Sequence, residues 1–169
     1  MKRIALFNLA GALILSLSTF CFSKEPISKN AGAAATVKAF YAFHFKHNFD
    51  YTEPGLKQRR RWLDAGLYKL LIAEVKGSHD SSRQDEAPDL DGDPFTNSQE
   101  YPNSFRIGKS EQDGKEATVE VTFVWKEKNK VVATKQVRVQ LAKSADSWKI
   151  TNIIAEGDDD LVKFLKRSR

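Results

Sequence analysis

Residues 31–49 place Val37, Phe40, Tyr41, Phe45 and Phe49 at spacings of three and four, the repeat of an amphipathic helix. At 100° per residue, His44 and Asn48 fall inside that apolar stripe, between Tyr41 and Phe45. Residues 50–55 break the pattern, and Pro54 suits the first turn of a second helix. In that second segment Leu56, Leu63, Leu67, Leu70 and Leu71 share one face to about Lys76, with Glu74 on the same face and Gly77 as a stop. Periodicity is then lost over residues 78–103, a polar stretch whose second half, Pro88-Asp-Leu-Asp-Gly-Asp-Pro-Phe-Thr96, is dense in turn formers. Phe95 and Tyr101 are its docking points. A loop of this length in a compact domain is functional or mobile.

From Phe105 the period falls to two. Phe105 and Ile107 lead to Asp113-Gly114, a pair suited to a tight hairpin turn. Val119, Val121, Phe123 and Trp125 then alternate with Thr118, Glu120 and Thr122. After a turn at Lys128-Asn129, Val131, Ala133, Lys135, Val137, Val139 and Leu141 alternate with Thr134, Gln136, Arg138 and Gln140. A last strand carries Trp148, Ile150, Asn152, Ile153 and Ile154. Residues 158–167 have acids first and bases last, the order that complements a helix dipole. Helices first and a meander of one-face-apolar strands afterwards predict an α+β fold, with the helices covering the apolar face of an antiparallel sheet. No internal repeat or domain boundary interrupts residues 31–169, so they read as one domain.

The chain has 169 residues, 27 Lys+Arg against 22 Asp+Glu, a formal charge of +5 and 41% hydrophobic residues, a globular balance. Lys2 and Arg3 precede an uncharged apolar run over residues 4–23, which reads as a secretory signal peptide cleaved near Ser23, followed by a flexible start over 24–30. Cleavage there removes the single Cys, Cys21, and two basic groups, leaving a charge of +3 and a periplasmic or secreted protein. Phe20 is too large for the position before a lipidated cysteine, which disfavours anchoring through Cys21. Thiol chemistry, a disulfide framework and a thiolate zinc site are excluded from the mature chain. The mild charge and the export signal argue against a nucleic-acid partner.

The motifs Asp91-Gly-Asp-Pro-Phe-Thr96, Tyr101-Pro-Asn-Ser-Phe105 and Trp148-Lys-Ile-Thr-Asn-Ile153, in this order of elements, resemble a bacterial envelope domain family of unknown function that includes YbjP-type lipoproteins. That family lies within the nuclear-transport-factor-2-like superfamily. The resemblance spans about residues 33–165. It implies a cone of helices against a strongly curved sheet, often with a pocket and often dimeric through the sheet. It supplies no catalytic set.

His44, Asn48, Glu74 and Tyr41 are the pocket candidates, because a carboxylate that fixes the tautomer of a buried His makes it a useful proton acceptor. A core His with one satisfied hydrogen bond is the plainer alternative. Asp89, Asp91, Asp93 and Glu100 occupy positions one, three, five and twelve of a calcium-loop pattern, although Pro94 stands where the sharp turn needs Gly. Lys57-Gln-Arg59-Arg60-Arg61-Trp62 is the densest basic cluster, so Arg59, Arg60, Arg61 and Trp62 are candidates for a partner surface, an acidic protein or anionic lipid heads. No nucleophile, phosphate-loop or cofactor motif appears, and no cofactor is expected. The leading expectation is an exported binding module for a small ligand or an envelope protein. Two alternatives stay open: an immunity-type inhibitor of an envelope hydrolase or toxin that inserts the 78–103 loop, and a small acid/base enzyme. The polar face with Glu120, Thr122, Gln136, Arg138 and Gln140 also suits a homodimer through the sheet.

Overall fold

A computed structural model describes residues 32–77, 92–158 and 160–167; the expected signal segment, the 24–30 stretch and the first half of the long loop, 78–91, lie outside them. The elements run α1 (Ala33–Lys46), α2 (Glu53–Arg59), α3 (Ala65–Gly77), β1 (Ser104–Asp113), β2 (Glu116–Glu127), β3 (Lys130–Ser144), β4 (Ser147–Ala155), a 3-10 turn (Glu156–Asp158) and α4 (Leu161–Arg167). The strands form one antiparallel sheet in sequence order. Val119, Val121 and Phe123 of β2, Val137, Val139 and Leu141 of β3, and Ile150 of β4 line its buried face, against Val37, Phe40 and Tyr41 of α1 and Leu67 and Leu71 of α3. Each such side chain removed from water contributes about 1.5–3 kcal/mol. The α+β layering expected from the change of period is what the chain forms.

Each strand pairing carries one register shift, and these bulges bend the sheet around the helices. In the β3–β4 pairing, Gln140 faces Asn152 and Leu141 faces Ile150, so Thr151 is the extra residue. It shifts the inward phase of β4 from Trp148 and Ile150 to Ile153 and Ala155. Asn152 thereby faces away from the core and caps α4, its Oδ1 accepting from the Val162 amide at 3.1 Å. Residues 137–142 of β3 lie between β2 and β4, whereas residues 130–136 are flanked by β2 alone. The β2–β3 hairpin therefore overhangs the rest of the sheet.

The second helical segment is not continuous. It stops at Arg59 and restarts at Ala65, and between the two helices Trp62 and Leu63 are both buried. The intervening backbone turns over residues 60–62 and then Leu63 forms a parallel bridge to Ile150 at the edge of β4: Ile150 N–H donates to the Trp62 carbonyl and Asp64 N–H to the Ile150 carbonyl, both at 2.8 Å. This covers part of an exposed strand edge. Asp64 then caps α3, its Oδ1 accepting from Gly66 N–H at 2.7 Å. At the start of α2, Thr52 Oγ1 accepts from Gly55 N–H at 3.2 Å. Gly55 is required there, since the Asp50 carbonyl occupies the place a Cβ would take.

α1 ends three residues earlier than the apolar spacing predicts. Asn48 and Phe49 adopt left-handed φ values of 49° and 55°. Such a backbone is strained for a bulky side chain, by about 1–3 kcal/mol. The strain is offset by packing: the Phe49 ring lies parallel to Tyr101 at 4.5 Å and tilts against Phe45 at 4.6 Å.

Candidate functional site

The reversal after α1 sends the chain into α2 and lets His44 and Arg59 meet inside the molecule. Arg59 Nε–H donates to His44 Nδ1 at 3.0 Å, and Arg59 Nη1 donates to the Gly55 carbonyl at 2.9 Å. A guanidinium nitrogen is only ever a donor, so His44 Nδ1 is the unprotonated acceptor. The proton of the neutral ring is then on Nε2, which donates to Asp93 Oδ2 at 3.0 Å. The same carboxylate oxygen accepts from Thr96 N–H at 3.0 Å and from Thr96 Oγ1 at 2.6 Å. His44 and Arg59 are 0% exposed and Asp93 is 3% exposed. The result is a buried cation and a buried anion joined through a neutral imidazole.

Aromatic rings wall this cluster. His44 lies nearly parallel to Phe40 at 5.8 Å and meets Phe49 and Phe95 edge-on at 5.0 and 5.1 Å. The Arg59 guanidinium lies over Phe43, 5.5 Å from its centroid. Tyr41 hydroxyl donates to the Phe95 carbonyl at 2.7 Å, which ties the 92–98 turn to α1. Within that turn Asp93 and Ser98 form an antiparallel bridge, and Phe95 is fully buried. Burial, reinforced by Asp93, raises the Tyr41 hydroxyl well above its ordinary pKa. Burial also raises Tyr51, with Glu74 and then Asp93 adding to the effect. Burial lowers the Arg59 guanidinium, against the opposing pull of Asp50 and Asp93.

Several expected placements change. His44 and Tyr41 are interior, as the apolar stripe implies, but Asn48 is exposed beyond the end of α1. The carboxylate on His44 is Asp93, not Glu74; Glu74 acts electrostatically on Tyr51 from a half-buried position on α3. Arg59 and Trp62 do not belong to a partner surface, because both are inside, Trp62 at 1% exposure beneath Arg61. Arg60 and Arg61 are exposed. The calcium pattern also fails where it is described: Asp93 turns inward to His44 while Glu100 is exposed, and no cluster of three metal-binding side chains occurs among the described residues. Asp89 and Asp91 lie outside the described residues. The signal missed for Asp93 is the spacing Asp93-Pro-Phe-Thr96, in which an Asp side chain accepts from the backbone three residues on.

Chemically, the Asp93–His44 pair has the form of a base and its orienter, but the ring nitrogen that would take a proton already accepts from Arg59. A solvent-open concavity lies elsewhere. It is a cleft of about 820 Å³ at the overhanging end of the hairpin, with Trp125, Ala133 and Lys135 on one side and Asn97 to Glu100 on the other. Trp125 Nε1–H donates to the Glu100 carbonyl at 3.1 Å, and Lys135 Nζ donates to the Asn97 carbonyl, so the two walls are tied together.

No protein-family model matches the chain, and no curated protein matches its sequence. In fold, the chain is similar to a chain of the crystal structure of the type VI native effector–immunity complex Tae3–Tai3 from Ralstonia pickettii. The TM-score is 0.52 at 19% identity, over 74% of this chain and 95% of that chain. That likeness establishes a shared fold.

Two outcomes test the cluster. Asp93→Asn and Arg59→Met should each destabilise the protein by about 3 kcal/mol in urea unfolding, because each leaves the other charge buried and unpaired. The double variant should lose at least 0.5 kcal/mol less than the two together, roughly; strict additivity would show that the two charges do not act as a unit. Tyr51 hydroxyl is buried without a protein hydrogen-bond partner, so Tyr51→Phe should not destabilise the fold at pH 7. Its folded-state pKa is raised above the unfolded value of 10.0, so its neutral form stabilises the fold below pH 10 and that contribution is lost as pH rises above it. Tyr51→Phe should therefore flatten the alkaline loss of stability measured from pH 9 to 11, and an unchanged slope would refute the assignment.

Proposed function

We propose that this chain is an exported protein that acts by binding another protein, as an immunity protein occupies its effector. The observation that carries this reading is the division of the polar groups. His44, Asp93 and Arg59 are engaged with one another in a sealed interior, while the surface carries an open cleft beside a bare strand edge. An acid/base enzyme needs its base within reach of a substrate, and His44 has neither a free acceptor nitrogen nor exposure. The cleft falls in the size range of small-molecule sites, about 300–1,000 Å³. Its surroundings favour a protein: Val132 lines it at 54% exposure and Val131 beside it is 57% exposed. Apolar side chains held out on an unpaired strand edge suit a protein interface.

The likeness to a chain from a complex of two proteins supports the same reading, although fold alone does not carry function. The route differs from insertion of a free loop, since in the described half of the 78–103 segment Phe95 is anchored in the core while Asn97 to Glu100 wall the cleft. Export follows from the apolar run at 4–23 and the residues before Lys24.

A photo-reactive side chain at Val132, in cells producing the protein at native level, should give a defined adduct with one envelope or exported protein. The same group at Lys163 on α4 serves as the control. No protein adduct at Val132, or the same adducts at both positions, would reject the reading.

A further inference from the structure

The consecutive residues Arg59, Arg60, Arg61 and Trp62 part company where the chain leaves α2. Arg59 and Trp62 enter the core, and Arg60 and Arg61 stay outside. Their backbone is fixed: Ile150 N–H donates to the Trp62 carbonyl, and Lys149 Nζ donates to the Arg61 carbonyl. Their side chains are laid on rings. The Arg60 guanidinium carbon is 5.3 Å from the Tyr68 centroid, and that of Arg61 is 3.9 Å from Trp62 and 5.5 Å from Phe43. Neither makes an ion pair among the described residues. The carboxylates of the same stretch are engaged: Glu53 with Lys57 at 2.9 Å and with Lys76 at 3.9 Å, and Asp64 in capping α3.

We propose that Arg60 and Arg61 form a docking site for a carboxylate-rich segment of a partner protein. This rests on the protein-partner reading above and adds the chemistry of the partner. A guanidinium packed on an aromatic face leaves its N–H groups free for bidentate contact with carboxylates. Because the rings hold these side chains in place beforehand, little rotamer freedom remains to be lost on binding, the usual drain on interfaces built from long cations. A lipid surface is the less suitable ligand. Electrostatic membrane sites gather about 4–8 basic residues, and the Trp beneath Arg61 is turned inward, so it offers no aromatic anchor to a bilayer.

The test titrates a capped, fluorescently labelled hexaglutamate peptide into the purified protein, with phosphatidylglycerol vesicles as a parallel arm. The wild type should bind the peptide with an affinity that falls as salt rises. R60Q/R61Q should weaken binding about tenfold, and R60K/R61K, which keeps the charge but not the planar fork, about threefold. K163Q/K166Q, which removes the same charge from exposed positions on α4, should stay within about twofold. Circular dichroism and melting should match the wild type in all three variants, since the replaced side chains are exposed. Equal weakening in R60Q/R61Q and K163Q/K166Q, no peptide binding, or binding to vesicles without binding to peptide would each overturn the site. Failure here is separable from failure of the partner reading: an adduct at Val132 that persists unchanged in R60Q/R61Q refutes this docking site alone, whereas absence of any Val132 adduct in the wild type refutes the partner.

Discussion

A buried guanidinium and a buried carboxylate cannot each stand alone in an interior of phenylalanine and leucine, and here they are joined through one neutral imidazole. Arg59 donates to His44 Nδ1, and His44 Nε2 donates to Asp93. The three residues come from α2, α1 and the end of the long loop, elements that share no backbone pairing. Removing either charge would leave its counterpart in a medium where an unpaired ion is costly. The chain is thus held to one arrangement of helices and loop by a polar constraint inside an otherwise apolar core.

Much else follows from satisfying that constraint. Arg59 faces inward on the same face of α2 as Leu56, and after the helix ends there burial of Trp62 and Leu63 brings the chain to the edge of β4. Arg60 and Arg61 are left outside as a consequence of the same turn. For Asp93 to reach His44, the 92–98 turn must fold down with Phe95 beneath it, which buries residues 93–96. An open cleft adjoins this turn, where the β2–β3 hairpin overruns its neighbours.

The strands were legible because alternation is a local property: Val119, Val121 and Phe123 announce a buried face, and Asp113-Gly114 a turn, without reference to the rest of the chain. The start of α1 was legible for the same reason. The break after Arg59 was not, since Leu56, Leu63 and Leu67 keep helical spacing across it and the decisive contact, with Ile150, is long-range. The shift at Thr151 has no local signature either. At the site, His44 was visible as a polar residue on an apolar stripe, but its partners were not. Glu74 shared a helical register with the leucines and drew attention, whereas Asp93 sits 49 positions from His44 in a turn whose acids resembled a cation loop. Arg59 and Arg60 lie three and four residues beyond Leu56, and spacing alone cannot say which one turns inward.

The most direct measurement of the central claim is the tautomeric state of the histidine rings by long-range nitrogen-15 correlation spectroscopy at neutral pH. The geometry requires His44 to be neutral with its proton on Nε2, because Arg59 holds Nδ1 as an acceptor. His47 supplies an internal contrast, since its Nδ1 donates to the Phe43 carbonyl at 2.8 Å and must carry a proton. The account predicts opposite patterns for the two rings, with His44 changing when Arg59 is replaced by Met. A His44 ring that is protonated on Nδ1, or that is indifferent to Arg59→Met, would contradict it.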